Sequence, residues 1–170
     1  MGASSWSYFV PYREDIRAAL EALRKRVFQT REYLDPDASL LQVFSSRAAR
    51  KKLIDRLPDE LREEIRKEIT LRRARRPATI EDLLERAGAG GTHSILDIVR
   101  IGARPGRAAA APLGPAQRRK LYGTLKPDRG QVEAKLYELM NLRPAWKACY
   151  VVVYGDGRPS EICFAGSSGD

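Results

Sequence analysis

Lys147-Ala148-Cys149-Tyr150-Val151-Val152-Val153-Tyr154 is followed by Gly155-Asp156-Gly157 and then by Ser160-Glu161-Ile162-Cys163-Phe164-Ala165. The two flanks are rich in β-branched, aromatic and small apolar residues, and the glycines between them mark a turn. Strands joined this closely are antiparallel neighbours, so the stretch predicts a C-terminal hairpin. A three-residue turn over 155–157 would set Tyr154 opposite Arg158 and Cys149 opposite Cys163. Gly166 to Asp170 then reads as a loose tail.

Working outward, Trp6, Tyr8, Val10 and Tyr12 alternate with Ser7, Phe9 and Pro11, the period of a strand. Pro11 lacks a ladder donor and ends that strand or places it at an edge. Ile16, Leu20, Leu23 and Val27 then make one apolar stripe and predict a helix from about Arg13 to Phe28. A weaker helical pattern covers Ser39 to Leu57. Pro58 to Arg76 reads as a helix burying Leu61, Ile65 and Ile69 and stopped by Pro77. Thr79 caps another, which Gly88 ends. Ser94 to Ile101 reads as a second strand. Residues 102–117 carry Gly, Pro, Ala and Arg without a period and read as a flexible exposed connection. Helices are expected at Pro115–Tyr122 and Arg129–Asn141. These elements predict one α+β domain over residues 1–170. Its sheet would be mostly antiparallel, with about four strands and with helices packed on one face.

The chain has 170 residues, enough for one core without metal or disulfide support. Two Cys and one His exclude a disulfide scaffold and a multi-His metal centre, so no metal or cofactor is expected. No apolar run has transmembrane length and Met1 to Pro11 lacks the form of a signal peptide, which predicts a cytoplasmic protein without membrane attachment. Thirty-one Lys+Arg against 22 Asp+Glu give a net charge of +9. The excess is local. Residues 47–76 hold twelve basic and six acidic side chains, and residues 98–129 hold eight and one.

The strings SSWSYFVPY with the helix behind it, GTHSILDI and SEICFAG resemble segments of small uncharacterised bacterial proteins. The resemblance covers most of the chain. It implies a bacterial, cytosolic setting and carries no activity.

The charge pattern points to a basic binding module for nucleic acid or another polyanion, because clustered guanidiniums bind phosphates bidentately and release condensed counterions. The residues that would carry it are Arg62, Arg66, Arg72, Arg73, Arg75 and Arg76 on one helix, and Arg104, Arg107, Arg118, Arg119 and Lys120 in the second basic segment. The helix Pro58–Arg76 would present Arg62, Arg66 and Arg73 along one strip beside its buried stripe. A helix C-terminus also favours cations for reasons of its own helix dipole, so Arg72 to Arg76 have a purely structural reading as well. Two other classes remain open. One is a small toxin-like enzyme acting on nucleic acid or nucleotides, with His93, Ser94 and Glu161 as the acid–base and nucleophilic candidates. The other is an interaction protein for an acidic partner. Asp97, like Glu161, is a carboxylate read on a strand, and cross-strand pairing to a Lys or Arg is the ordinary role of both. Gly88-Ala89-Gly90-Gly91-Thr92 lacks the Lys and the strand-to-helix setting of a phosphate loop.

Overall fold

The computed structural model describes residues 4–34, 54–74 and 77–168; of residues 66 and 68–74 it describes the backbone. The helix expected from Ser39 to Leu57 lies, up to residue 53, outside the described residues.

Five strands form one sheet: β1 (Ser5–Pro11), β2 (Arg100–Ile101), β3 (Ala109–Pro112), β4 (Lys147–Gly155) and β5 (Arg158–Ser167). Their order is β1-β5-β4-β3-β2. β1 and β4 flank β5 antiparallel, while β3 runs parallel to both β4 and β2. The fold is therefore α+β with a five-stranded mixed sheet, and the expected four-stranded, mostly antiparallel sheet is corrected. The added strand is β3, inside the segment expected to be an exposed connection. Ala109, Ala110 and Ala111 are at most 1% exposed. Alanine has little intrinsic strand preference, so the run gives no strand signal. It works here because a strand inserted between β4 and β2 is covered on both faces and needs small side chains.

Helices lie on both faces of the sheet rather than on one. Trp6, Val10, Ala148, Ile162 and Phe164 face α1 (Ile16–Thr30) and Leu83 of α3 (Ile80–Ala87). The alternate residues Cys149, Val151, Val153, Cys163 and Ala165 face Tyr122 of α4 (Pro115–Tyr122), Val132 of α5 (Arg129–Ala134) and Leu139 of α6 (Leu136–Met140). The apolar runs of β4 and β5 leave no polar face, so both sides require cover. The helix expected over Arg129–Asn141 is two helices parted at Lys135, whose φ is −115°.

Asp15 starts α1 by accepting from the Ala18 amide, and Thr79 starts α3 by accepting from that of Asp82. α2 (Asp59–Ala74) is the helix of the first basic segment. Leu61 stands 49% exposed on it, and among the described residues no α2 side chain enters either core cluster, so the expected burial of Leu61 is corrected.

The hairpin turns on two residues, not three. Asp156 (φ 52°) and Gly157 (φ 75°) both take the left-handed conformation that a tight hairpin needs, and Gly155 pairs with Arg158. A bulge between Val153 and Tyr154 shifts the register. Cys149 therefore faces Ala165, and Cys163 faces Val151. The two sulfurs share a face as diagonal neighbours. The expected tail is also strand: β5 continues to Ser167, and Ser168 is fully buried. Among the described residues no helix is long and apolar enough to cross a membrane.

Candidate functional site

One end of the sheet gathers the start of β1, the end of β5, the entries to β3 and β4, and the Gly91–Asp97 loop. Asp97, 3% exposed, lies there in a short 3-10 turn (Ile95–Asp97) in place of the expected strand. Its carboxylate accepts from the Thr92 amide at 2.8 Å, the Thr92 hydroxyl at 2.9 Å and the Ser168 hydroxyl at 2.5 Å. Ser168 in turn accepts from Trp6 Nε1 at 3.1 Å. Neutral donors, not a cation, thus satisfy the buried charge.

Three residues here hold a positive φ without being glycine: His93 (53°), Ala108 (54°) and Trp146 (66°). The Ala108 amide donates to the Trp146 carbonyl at 2.8 Å, and the Trp146 amide to that of Ser167 at 2.9 Å. The Trp146 ring packs so closely on Gly91 that a Cβ there would stand 2.9 Å from it and 3.0 Å from Asp97 Oδ2. Strain held by surrounding structure in this way is frequent at functional sites.

The catalytic candidates are distributed as follows. Half-buried His93 meets the Ser4 hydroxyl through Nδ1. Buried Ser94 sits beside Thr92, hydroxyl to hydroxyl at 2.8 Å, and accepts from the Leu96 amide at 3.2 Å. Glu161 lies toward the other end of β5, where Arg129 Nη1 binds it at 2.6 Å. The same guanidinium holds Glu133 at 2.7 Å and lies 3.6 Å above the Phe9 ring. The structure thus brings Ser4, not Ser94 or Glu161, to His93. Asp97 is engaged by Thr92 and Ser168, so no hydroxyl–imidazole–carboxylate chain forms among the described residues. Burial pushes the thiols of Cys149 and Cys163 up to about 11 and about 12, which keeps them protonated and poorly nucleophilic.

The basic candidates separate into three groups. Arg104 and Arg107 occupy the β2–β3 loop, Arg107 with its guanidinium 4.8 Å from the Trp146 ring centre, so this loop borders the strained end of the sheet. Arg119 and Lys120 stand exposed on α4, which leaves the opposite end of β3, while Arg118 donates to the Leu125 carbonyl at 2.9 Å. Arg62 is engaged structurally: it pairs with Asp59 at 3.0 Å and donates to the Leu57 and Asp55 carbonyls. The side chains of Arg66, Arg72 and Arg73, and all of Arg75 and Arg76, lie outside the described residues.

Sequence reading placed Asp97 on a strand and did not find Trp146 or Ser168 near it, nor Ser4 beside His93. The signal available was the density of hydroxyls in Thr92-His93-Ser94 close to an otherwise apolar ILDI run. Set against protein-family models, curated proteins and solved structures, the chain matches none of them.

Proposed function

We propose that the protein binds a phosphate-chain polyanion, nucleic acid being the leading class, through arginines and lysines that the fold displays without neutralising them. One observation supports this reading. Among the described residues Arg104, Arg119 and Lys120 are exposed and take no part in the ion pairs, whereas Arg62, Arg86, Arg129 and Lys135 each hold a carboxylate. Exposed cations in a +9 chain repel one another, and a phosphate chain long enough to reach from the β2–β3 loop to α4 relieves that repulsion while releasing its counterions. In the sequence, Arg66, Arg72, Arg73, Arg75 and Arg76 add five more cations in the first basic segment.

Fluorescence anisotropy with a labelled single-stranded oligonucleotide, read across a salt series, tests the proposal. Affinity should fall steeply with salt, and Arg104→Gln/Arg119→Gln/Lys120→Gln should flatten the log–log slope by about 2, roughly 0.7 for each lost phosphate contact. Arg62→Gln should leave the slope alone. Failure to bind at low salt, or an unchanged slope in the triple variant, would refute it.

A further inference from the structure

A pocket of about 140 Å³ opens between the end of β1 and one face of α1, far in sequence from the second basic segment. Its origin is local. Pro11 ends the strand, the Asp15 cap turns the chain into α1, and the helix presents Ala19, Ala22, Leu23 and Arg26, spaced as one face. Two of these four are alanines, too short to reach Val10 across the gap. The floor is therefore apolar. The charged residues of the wall are Arg13 and Arg26, and no acid lines it. Among the described residues neither guanidinium makes an ion pair or a hydrogen bond.

Size limits the occupant. Drug-sized ligands take pockets of roughly 300–1,000 Å³. An engineered apolar cavity of about 150 Å³ accepts benzene, so this one suits a ring or a branched chain of about six carbons. Charge sets the rest. Two unpaired guanidiniums above an apolar floor favour an anionic head on that body; the guanidinium fork takes carboxylate and phosphate alike, and the small volume favours the smaller, singly charged carboxylate. We propose that this pocket is a binding site for a small free aromatic or branched aliphatic carboxylic acid, with Leu23, Ala19 and Val10 against its body and Arg13 and Arg26 on its carboxylate. The site is separate from the polyanion surface, and either can fail without the other.

Benzoate is the probe, followed by backbone amide NMR on the full chain. Saturable shifts should appear at Val10, Arg13 and Ala19–Arg26 with a Kd of about 1 mM, as expected for so few atoms. Benzamide, the uncharged isostere, should bind at least about tenfold more weakly, and Arg26→Gln or Arg13→Gln should weaken benzoate about fivefold or more, the loss of a charge-assisted hydrogen bond. Ala22→Leu fills the pocket from an exposed helix position. It should abolish the shifts with the melting temperature unchanged. Absence of binding, equal binding of benzamide, displacement by inorganic phosphate at equal concentration, or benzoate binding that survives Ala22→Leu would overturn the proposal. A peptide ending in phenylalanine that binds more than about tenfold tighter than benzoate would overturn the free-acid assignment in favour of a protein terminus.

Discussion

Asp97 and Glu161 look alike in the sequence, each a carboxylate in an apolar run, yet the fold gives them opposite surroundings. Asp97 is buried among hydroxyls and an amide; Glu161 is partly exposed beneath Arg129. Their deciding partners lie 71 and 32 residues away in the chain, Ser168 and Arg129 respectively. Local pattern does not name such partners: the expected pairing with a Lys or Arg holds for Glu161, through Arg129 on a helix, and not for Asp97. The buried group gives a sharp test. Asp97→Ala leaves buried donors of Thr92 and Ser168 unanswered and should cost about 3 kcal/mol or more. Asp97→Asn retains one acceptor oxygen for Thr92 and should cost less. Urea unfolding of the two variants measures the difference, and an alanine variant as stable as the parent would show that the network contributes nothing to folding.

At the scale of elements, α1 was legible from its stripe Ile16, Leu20, Leu23 and Val27, though its expected start at Arg13 precedes the Asp15 cap. β1, α3, α4 and the hairpin were legible from their own punctuation: Pro11, Thr79, Gly123 and the Gly155-Asp156-Gly157 turn. What failed were elements defined by neighbours. β3 is three alanines and a proline, and its strand character comes from β4 beside it. The hairpin register slipped because Gly155-Asp156-Gly157 accommodates either a two- or a three-residue turn, and the bulge at Val153/Tyr154 is invisible in the residue types. The β1–β5 pairing shows how closely these elements are fitted. Trp6 lies opposite Gly166, and a Cβ at Gly166 would stand 2.9 Å from the indole and from the Lys147 carbonyl. Gly166→Ala should therefore cost about 1–3 kcal/mol through overpacking. Gly123→Ala meets no atom within 4 Å and carries only the strain of φ 72°, so it should cost about 1 kcal/mol. Equal losses in thermal unfolding would show that the Trp6 contact is not tight.

For the whole molecule, the unbroken apolar runs Cys149–Val153 and Ile162–Ala165 held the clue that the sheet is covered on both sides, since a one-faced sheet alternates. The α+β class was legible; helices were expected on one face only, although these runs carry the signal for a second layer. Burial on both faces has a consequence for alkaline stability. Burial raises Cys149 to about 11 and Cys163 to about 12 on one side of the sheet, and Tyr8 to about 12 on the other. The folded values exceed the ordinary ones of 9.0 for the thiols and 10.0 for the tyrosine, so the unfolded chain loses these protons first. Stability should be complete below about pH 9 and should fall as the pH rises toward 11–12. If residues 1–170 are one domain, as we propose, tryptophan fluorescence and helical circular dichroism should lose stability together across that window. Separate midpoints for the two signals would sink the one-domain reading.

The pairing of Ser5 with Ser167, and the hydrogen bond from the Ser168 amide to the Ser4 carbonyl at 3.0 Å, set the start of the edge strand β1 beside the end of β5. Strand ends this close can be joined by a linker of a few residues, and the Asp156-Gly157 turn, exposed and free of packing, offers a place to open new ones. A circular permutant beginning at Gly157 would keep β1, β5 and β4 in register while turning the 162-residue separation between Trp6 and Ser168 into a short one. The same cut makes the β4–β5 hairpin, the more extensive of the two pairings, long-range, so local β1–β5 pairing would come first and the permutant should fold more slowly than the parent chain.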